Sequence, residues 1–242
     1  MLNKITVLVR NPGVLKALLT WPKFSFASYM INFRLKNSNV EPKTIVDVGA
    51  NVGQFAVAAS KFFNQSMIIS IEPDPMVSKE LQKNLRGHLN FEVITCAVGN
   101  TIGKVKFYKN QDSQVSSILE IGGMRKSLFP ESRVTDEVDI PINTLDALFD
   151  NRNIESPILV KLDVQGAELM VIDGARDFLN KVKWLVIEIA FVDLYKGEPS
   201  FEKICKMLDL HGFEFIKPLN FHASPSGLEI IEMDAFFQRR GP

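Results

Sequence analysis

Residues 161–168 read Lys-Leu-Asp-Val-Gln-Gly-Ala-Glu, which places an ammonium, two carboxylates and an amide within eight positions. Such groups can hold and move a proton, so Lys161, Asp163 and Glu168 are candidates for acid–base work. On a strand, period two sets Lys161 and Asp163 on one face, with Asp163 nearer the carboxyl end. Gly166 then permits a sharp turn, and Glu168 falls in the first turn of the next helix, where the helix dipole favours an acid that has no catalytic task. Glu188 is a fourth candidate, embedded in the apolar run Trp-Leu-Val-Ile-Glu-Ile-Ala-Phe at 184–191. An unpaired buried carboxylate costs several kcal/mol, so a partner is expected, and Lys161 on the neighbouring strand is the candidate. The pair is either purely structural or lies beneath an acceptor hydroxyl that it positions or deprotonates.

A second constellation suits a nucleoside ligand. Residues 47–53 read Asp-Val-Gly-Ala-Asn-Val-Gly, where a strand gives way to a helix, and Glu72 follows Gly53 by nineteen positions at the end of another strand. Gly49 and Gly53 allow positive φ and close backbone approach, the helix N-terminus offers unpaired N–H groups, and Glu72 can accept both hydroxyls of a ribose. The loop alone fits NAD as well as S-adenosylmethionine. Its Gly-x-x-x-Gly spacing lacks the Gly-x-Gly-x-x-Gly that grips a pyrophosphate. S-adenosylmethionine has no pyrophosphate but carries an ammonium and a carboxylate, which Asp47 and Asn51 suit, so it is the favoured cofactor.

Other polar residues offer less. His222, in Asn-Phe-His-Ala-Ser-Pro-Ser-Gly, is an alternative base in what reads as a turn-rich loop, whereas His88 and His211 fall at predicted helix ends and read as surface residues. Ser116 and Ser117 could line an acceptor pocket or simply belong to a polar loop. Asp163 and Glu168 could bridge a divalent metal, but two acids are few ligands and no metal is expected. Cys96 and Cys205 are far apart and outside any Cys/His cluster, so neither a disulfide framework nor a zinc site is read.

The elements that must position these groups alternate from Thr44 onward. Strand-like runs occur at 44–49, 67–73, 91–99, 157–164, 184–191, 213–217 and 228–238, with helical patterns at 53–63, 75–86, 167–179 and 201–211. Alternation of this kind predicts an α/β fold, a mostly parallel sheet with helices on both faces. A period-two run, 104–110, followed by polar residues predicts a hairpin or loop excursion over 101–141 between the third and fourth core strands. Residues 1–43 read as a basic extension of two short amphipathic helices, which would pack on the domain at 44–242, contact a second copy, or dock peripherally on a membrane.

Charge is balanced at 28 bases and 28 acids, so nothing global points to a nucleic-acid partner. The first 43 residues nevertheless hold seven bases against one acid. No apolar run approaches the roughly 18 residues of a membrane span, and Arg10, Pro12, Lys16 and Pro22 break any signal-peptide core, so a cytoplasmic location is expected.

Taken together, the Asp-Val-Gly-Ala-Asn-Val-Gly loop, Ile-Glu-Pro at Glu72 and Pro73, Ala-Val-Gly-Asn-Thr-Ile-Gly from Ala97, Val-Ser-Ser at 115–117, the 161–168 motif and Val-Ile-Glu-Ile resemble the FkbM family of methyltransferases. The resemblance runs from about residue 44 to 237. It implies a class I methyltransferase, Rossmann-like fold with a seven-stranded sheet and an antiparallel last strand. It also implies S-adenosylmethionine as donor and a hydroxyl acceptor on a sugar, glycan or other small natural product. On this resemblance Asp47, Gly49, Ala50, Asn51 and Gly53 hold the amino-acid half of the cofactor, Glu72 and Pro73 its ribose side, and Ala97 and Asp163 also border it, with Asp163 beside the methyl group. The alternatives are a degenerate methyltransferase-fold binding protein and an NAD-dependent oxidoreductase. Against the latter stands the lack of a Tyr-x-x-x-Lys pair.

Overall fold

A computed structural model of the chain describes residues 12–241. Among the described residues two helices come first, α1 (Pro12–Thr20) and α2 (Phe26–Lys36), where amphipathic helices are expected; the hydrophobic positions Val7 and Leu8 lie outside the described residues. Then follow β1 (Thr44–Val48), α3 (Gln54–Phe62), β2 (Met67–Ile71), α4 (Pro75–Asn84), β3 (Phe91–Ile94), β4 (Ala97–Val98), β5 (Gly103–Asn110), α5 (Gly123–Leu128), β6 (Val134–Asn143) and α6 (Leu145–Phe149). The chain ends with β7 (Ile158–Leu162), α7 (Glu168–Asp173), α8 (Arg176–Leu179), β8 (Val182–Ala190), α9 (Phe201–Leu210), β9 (Phe213–Ala223) and β10 (Ile230–Arg239).

Seven strands form the main sheet in the order β3-β2-β1-β7-β8-β10-β9, and β10 runs antiparallel to both neighbours, as the family resemblance implies. The central strands β1 and β7 are buried along their whole length, which is why their β-branched and Leu side chains form near-continuous apolar runs. Alternation sends Val46 and Val48 to a core shared with α7, α8 and α9, and Ile45 to a core shared with α2, α3 and α4. Each fully buried Ile or Leu of these layers contributes about 1.5–3 kcal/mol of transfer free energy. On β1, Asp47 stands beside Ser70 of β2 and Lys161 of β7, so the polar side chains cluster at the carboxyl edge of the sheet.

Four expectations need correction. The run 91–99 is two strands, because β3 pairs with β2 in the main sheet whereas β4 leaves it to pair with β6. The helix expected over 167–179 breaks at Gly174, where a side chain would overlap the Gly99 carbonyl; α7 and α8 are the two halves. The strand expected to end at Lys217 runs on to Ala223, held by pairing with β10, so His222 sits on a strand rather than in a loop. His88 is buried, its ring 3.0 Å from the Ser66 carbonyl. The excursion is a hairpin of β5 and β6, which with β4 makes a second, three-stranded sheet.

The N-terminal helices pack on the main domain. Ser25 caps α2, accepting from the Ser28 N–H, and α2 gives Ile31 and Leu35 to the core, while Arg34 donates to the Leu219 carbonyl on β9. Val14 and Ala17 of α1 pack with Tyr29 and Met30, leaving Leu15, Leu18 and Leu19 exposed. No described helix is long and apolar enough to cross a membrane.

Candidate active site

The loop after β1 is shaped by its contacts before any ligand arrives. Gly49 has φ of +78°, and a Cβ there would overlap the backbone carbonyl oxygen of Asp163, so the first glycine is required to seat the β1 end against the β7 end. Gly53 is the N-cap of α3; its φ of +93° favours glycine, and a Cβ there would stand 2.7 Å from Leu81 Cδ1 and push that side chain aside. Its role is packing, and it does not line the cavity.

Glu72 organises the same loop. Its carboxylate accepts the Asn51 N–H at 2.8 Å on Oε2 and the Asp74 N–H at 3.0 Å on Oε1. Burial nevertheless pushes its pKa up to about 7, outweighing those two donors. The Asn51 side-chain oxygen accepts from Val52 N–H at 2.6 Å and from the Ser113 hydroxyl at 3.0 Å, so a residue of the excursion is tied to the loop. Asp47 is 1% exposed and, among the described residues, neither of its oxygens has a hydrogen-bond partner; the Asn51 amide nitrogen is likewise unpartnered. Burial raises Asp47 to about 7, with the Lys161 charge opposing. Unpaired buried groups of this kind are costly, and a ligand that brings both an ammonium and a carboxylate would satisfy an acid and an amide side by side. The site therefore fits the amino-acid end of S-adenosylmethionine, with Ala50, Pro73 and Ala97 completing the wall.

At the end of β7 the acid–base groups meet. Lys161, 4% exposed, donates to Asp163 Oδ2 at 2.6 Å, not to Glu188 as expected from the sequence. The parallel register explains this: Lys161 stands opposite Val186, and Glu188 lies two residues further on, beyond the end of β7. Burial alone would lower the Lys161 pKa, but Asp163, Asp47, Asp234 and Glu188 surround it and hold it charged. Asp163 is held below the usual carboxylate range despite burial, chiefly by Lys161. Glu188 moves the other way, raised by burial and by the charge of Asp163. The two neighbouring carboxyls are thereby biased in opposite directions, Asp163 toward the ionised form and Glu188 toward the protonated one.

Glu168 is close in sequence but turns away. Its Oε1 accepts the N–H groups of Val164 at 3.1 Å and Gly166 at 3.3 Å, and it is absent from the cavity wall. Burial pushes its pKa up to about 8.

A cavity of about 310 Å³ joins the two constellations, bringing together Asp47, Gly49, Ala50, Asn51, Glu72, Pro73, Ala97, Lys161, Asp163 and Glu188. Its outer wall comes from Ser25 at the N-cap of α2, from Ser28 and Ile31 of α2, from the excursion including Ser116 and Ser117, and from His222 and Asp234. Ser116 and Ser117 also stitch the loop, accepting from Asn110 N–H and donating to the Gln165 carbonyl respectively. The His222 ring nitrogen stands 3.5 Å from Asp234 Oδ2 and 3.8 Å from Glu188 Oε1, and the Asp234 contact raises its pKa. Sequence reasoning passes over Asp234, Gln165 and Tyr195. Asp234 carries the signal that singles out Glu188, an acid inside the apolar run Ile-Ile-Glu-Met-Asp-Ala-Phe-Phe; Gln165 and Tyr195 carry none, since their importance lies in tertiary contacts.

Comparison with known proteins agrees with this geometry. The Methyltransferase FkbM domain matches residues 47–215. The chain is 25% identical over 170 residues to the 2-O-methyltransferase NoeI of Sinorhizobium fredii, covering 68% of this chain and 70% of that one. It is 26% identical over 152 residues to the hexuronic acid methyltransferase AglP of Haloferax volcanii, covering 62% and 56%. The magnesium protoporphyrin IX methyltransferase of Synechocystis, solved with bound S-adenosylmethionine, shares the fold, with a TM-score of 0.51 at 10% identity over 88% of this chain and 78% of that one. A match over most of the chain, on a seven-stranded sheet with its cavity at the predicted edge, means that this chain belongs to the FkbM family of S-adenosylmethionine-dependent methyltransferases.

Proposed function

We propose that the protein methylates a hydroxyl group of a sugar, glycan or similar small polyhydroxylated acceptor, with Asp163 as the base. The observation that carries this reading is a single cavity lined by the Asp47–Asn51 loop, Glu72 and the Lys161–Asp163 pair. The names of two relatives, a 2-O-methyltransferase and a hexuronic acid methyltransferase, support oxygen as the acceptor atom and sugars as the class.

When bound, S-adenosylmethionine supplies an electrophilic methyl group. Asp47 and Asn51 would hold its amino-acid end and Glu72 its ribose hydroxyls, whose donors the carboxylate can accept in addition to the two backbone N–H groups. Lys161 donates to Asp163 Oδ2 and Gln165 to Oδ1, so a remaining lone pair of the carboxylate would take the acceptor's proton. Glu188, biased toward its protonated form, would donate a hydrogen bond to an oxygen of the acceptor. The walls from α2 and the excursion exclude water and orient the acceptor, an effect worth roughly 7–11 kcal/mol in well-aligned reactions, against about 10²–10⁴-fold for the base. His222, 3.5 Å from Asp234, is a second candidate for the base.

Titration of the protein with S-adenosylhomocysteine, NAD and NADH, repeated on Glu72→Ala, tests the cofactor. Binding of S-adenosylhomocysteine alone, lost in the variant, is expected. Transfer of labelled methyl from S-adenosylmethionine to neutral sugars, hexuronic acids and other alcohols then tests the acceptor. Absence of S-adenosylhomocysteine binding, or transfer only to nitrogen or carbon acceptors, would overturn the proposal. Binding without transfer to any acceptor favours a binding protein on a methyltransferase fold.

A further inference from the structure

Gln165 follows the end of β7 with φ of +56°, a left-handed conformation in which a residue with a Cβ is strained and glycine is not. Backbone geometry alone would therefore favour glycine here, as it does at Gly166, φ +94°, the next residue. Strain of this kind persists where a side chain has a task.

The side chain makes contacts with three separate parts of the molecule. Its amide nitrogen donates to Asp163 Oδ1 at 2.8 Å and to Glu188 Oε2 at 2.7 Å. Its amide oxygen accepts from the Tyr195 hydroxyl at 2.8 Å, and that hydroxyl also stands 3.0 Å from the Val115 carbonyl. The Gln165 backbone carbonyl accepts from the Ser117 hydroxyl at 2.7 Å. A primary amide offers two N–H donors and one strong acceptor, so every polar atom of this side chain is used. A shorter amide could not span both carboxyls, and an acid would put a further negative charge beside Asp163 and remove both donors.

Resting on the methyl-transfer reading of the cavity, we propose that Gln165 is a positioning residue. Its amide fixes Asp163 and Glu188 relative to each other and holds the Tyr195 hydroxyl beside Val115, while its backbone carbonyl latches Ser117, so one residue sets both the geometry of the base and the closure of the cavity wall. Lys161 faces the pair from the same strand, Asp47 from β1, Glu232 and Asp234 from β10, and His222 from β9. All five remain when Gln165 is replaced, so a change in how the pair titrates reports on the amide.

The test uses the full chain and the variants Gln165→Gly and Gln165→Asn, both tolerant of positive φ. Thermal unfolding and S-adenosylhomocysteine affinity check the fold and the cofactor site; hydrogen exchange across 108–119 and carbon-13 titration of the Asp163 and Glu188 carboxyls read the latch and the pair. Expected are cooperative unfolding of Gln165→Gly, with relief of the left-handed strain offsetting part of the lost side-chain bonding, and affinity within about threefold. Exchange at 113–117 should be about tenfold faster or more, and the carboxyl titration should move up by about one pH unit as the charged forms lose a donor. Unchanged exchange and titration in a folded variant would overturn the proposal, and Gln165→Asn decides it should Gln165→Gly fail to fold. A wild-type protein that does not bind S-adenosylhomocysteine would defeat the methyl-transfer reading instead, while the exchange and titration contrasts still decide what Gln165 does.

Discussion

The Cα of Gly49 lies so close to the backbone carbonyl of Asp163 that a methyl group on it would overlap the oxygen. The loop proposed to cradle the cofactor and the strand end proposed to carry the base are thus fastened by direct backbone contact. Gly49→Ala meets both this overlap and an unfavourable φ, and should cost roughly 2–4 kcal/mol of stability and abolish S-adenosylhomocysteine binding. Denaturant unfolding and ligand titration measure the two effects; a variant that keeps both would refute the coupling.

Asp47 should trade stability for binding. Its buried carboxylate, without a partner among the described residues, opposes folding of the ligand-free protein, so Asp47→Asn should raise the unfolding temperature while weakening S-adenosylhomocysteine at least about tenfold. The pH dependence follows from the raised acids. Asp47 and Glu72 are pushed up to about 7 and Glu168 to about 8, so each stabilises the fold when protonated. That contribution is complete below about pH 4, declines as pH rises and is gone above about 8. Unfolding free energy of the free protein should fall across this window, and less steeply in Asp47→Asn. A flat profile for both proteins would count against buried, protonated acids.

Asp163→Asn should retain cofactor affinity and lose methyl transfer by about 10²–10⁴-fold. His222→Ala measured alongside separates the two candidates for the base, because only the true base should remove the acidic limb of the pH–rate profile. Unchanged turnover in Asp163→Asn, with His222→Ala inactive, would transfer the role to His222.

Glu168 supports the β7 turn by accepting two backbone N–H groups. Glu168→Ala leaves both donors buried and should destabilise by about 1–3 kcal/mol. Glu168→Gln preserves an acceptor and resembles the protonated acid present at pH 7, so its loss should be much smaller. Thermal unfolding of the pair checks this. Equal losses would mean that the negative charge matters after all.

The sequence is most readable where periodicity and chemistry coincide. The apolar runs around Asp47 and Lys161 announce central strands, and the glycine loop and the 161–168 motif lie at the sheet edge where the cavity opens. Less readable is anything set by register or by distant packing. Nothing local tells that Lys161 stands beside Val186, which sends its ammonium to Asp163 rather than Glu188. Nor does local pattern separate β3 from β4, since the two join different sheets, or show that Tyr195 reaches Gln165 across thirty positions. Glu168 was legible in both of its readings, and only the three-dimensional fold points its carboxylate back into the turn.

The wall of the cavity has a consequence for how such enzymes diversify. The segment shared with the family spans 47–215, yet Ser25, Ser28 and Ile31 enter the cavity from before it and His222 and Asp234 from after it. Part of the outer wall therefore lies outside the stretch that carries the Asp47–Asn51 loop and the 161–168 motif. Exchanging the flanks between relatives would reshape those walls while leaving the Asp47–Asn51 loop, Glu72 and the Lys161–Asp163 pair in place, and trimming the chain to the shared segment would leave a pocket with two of its sides missing.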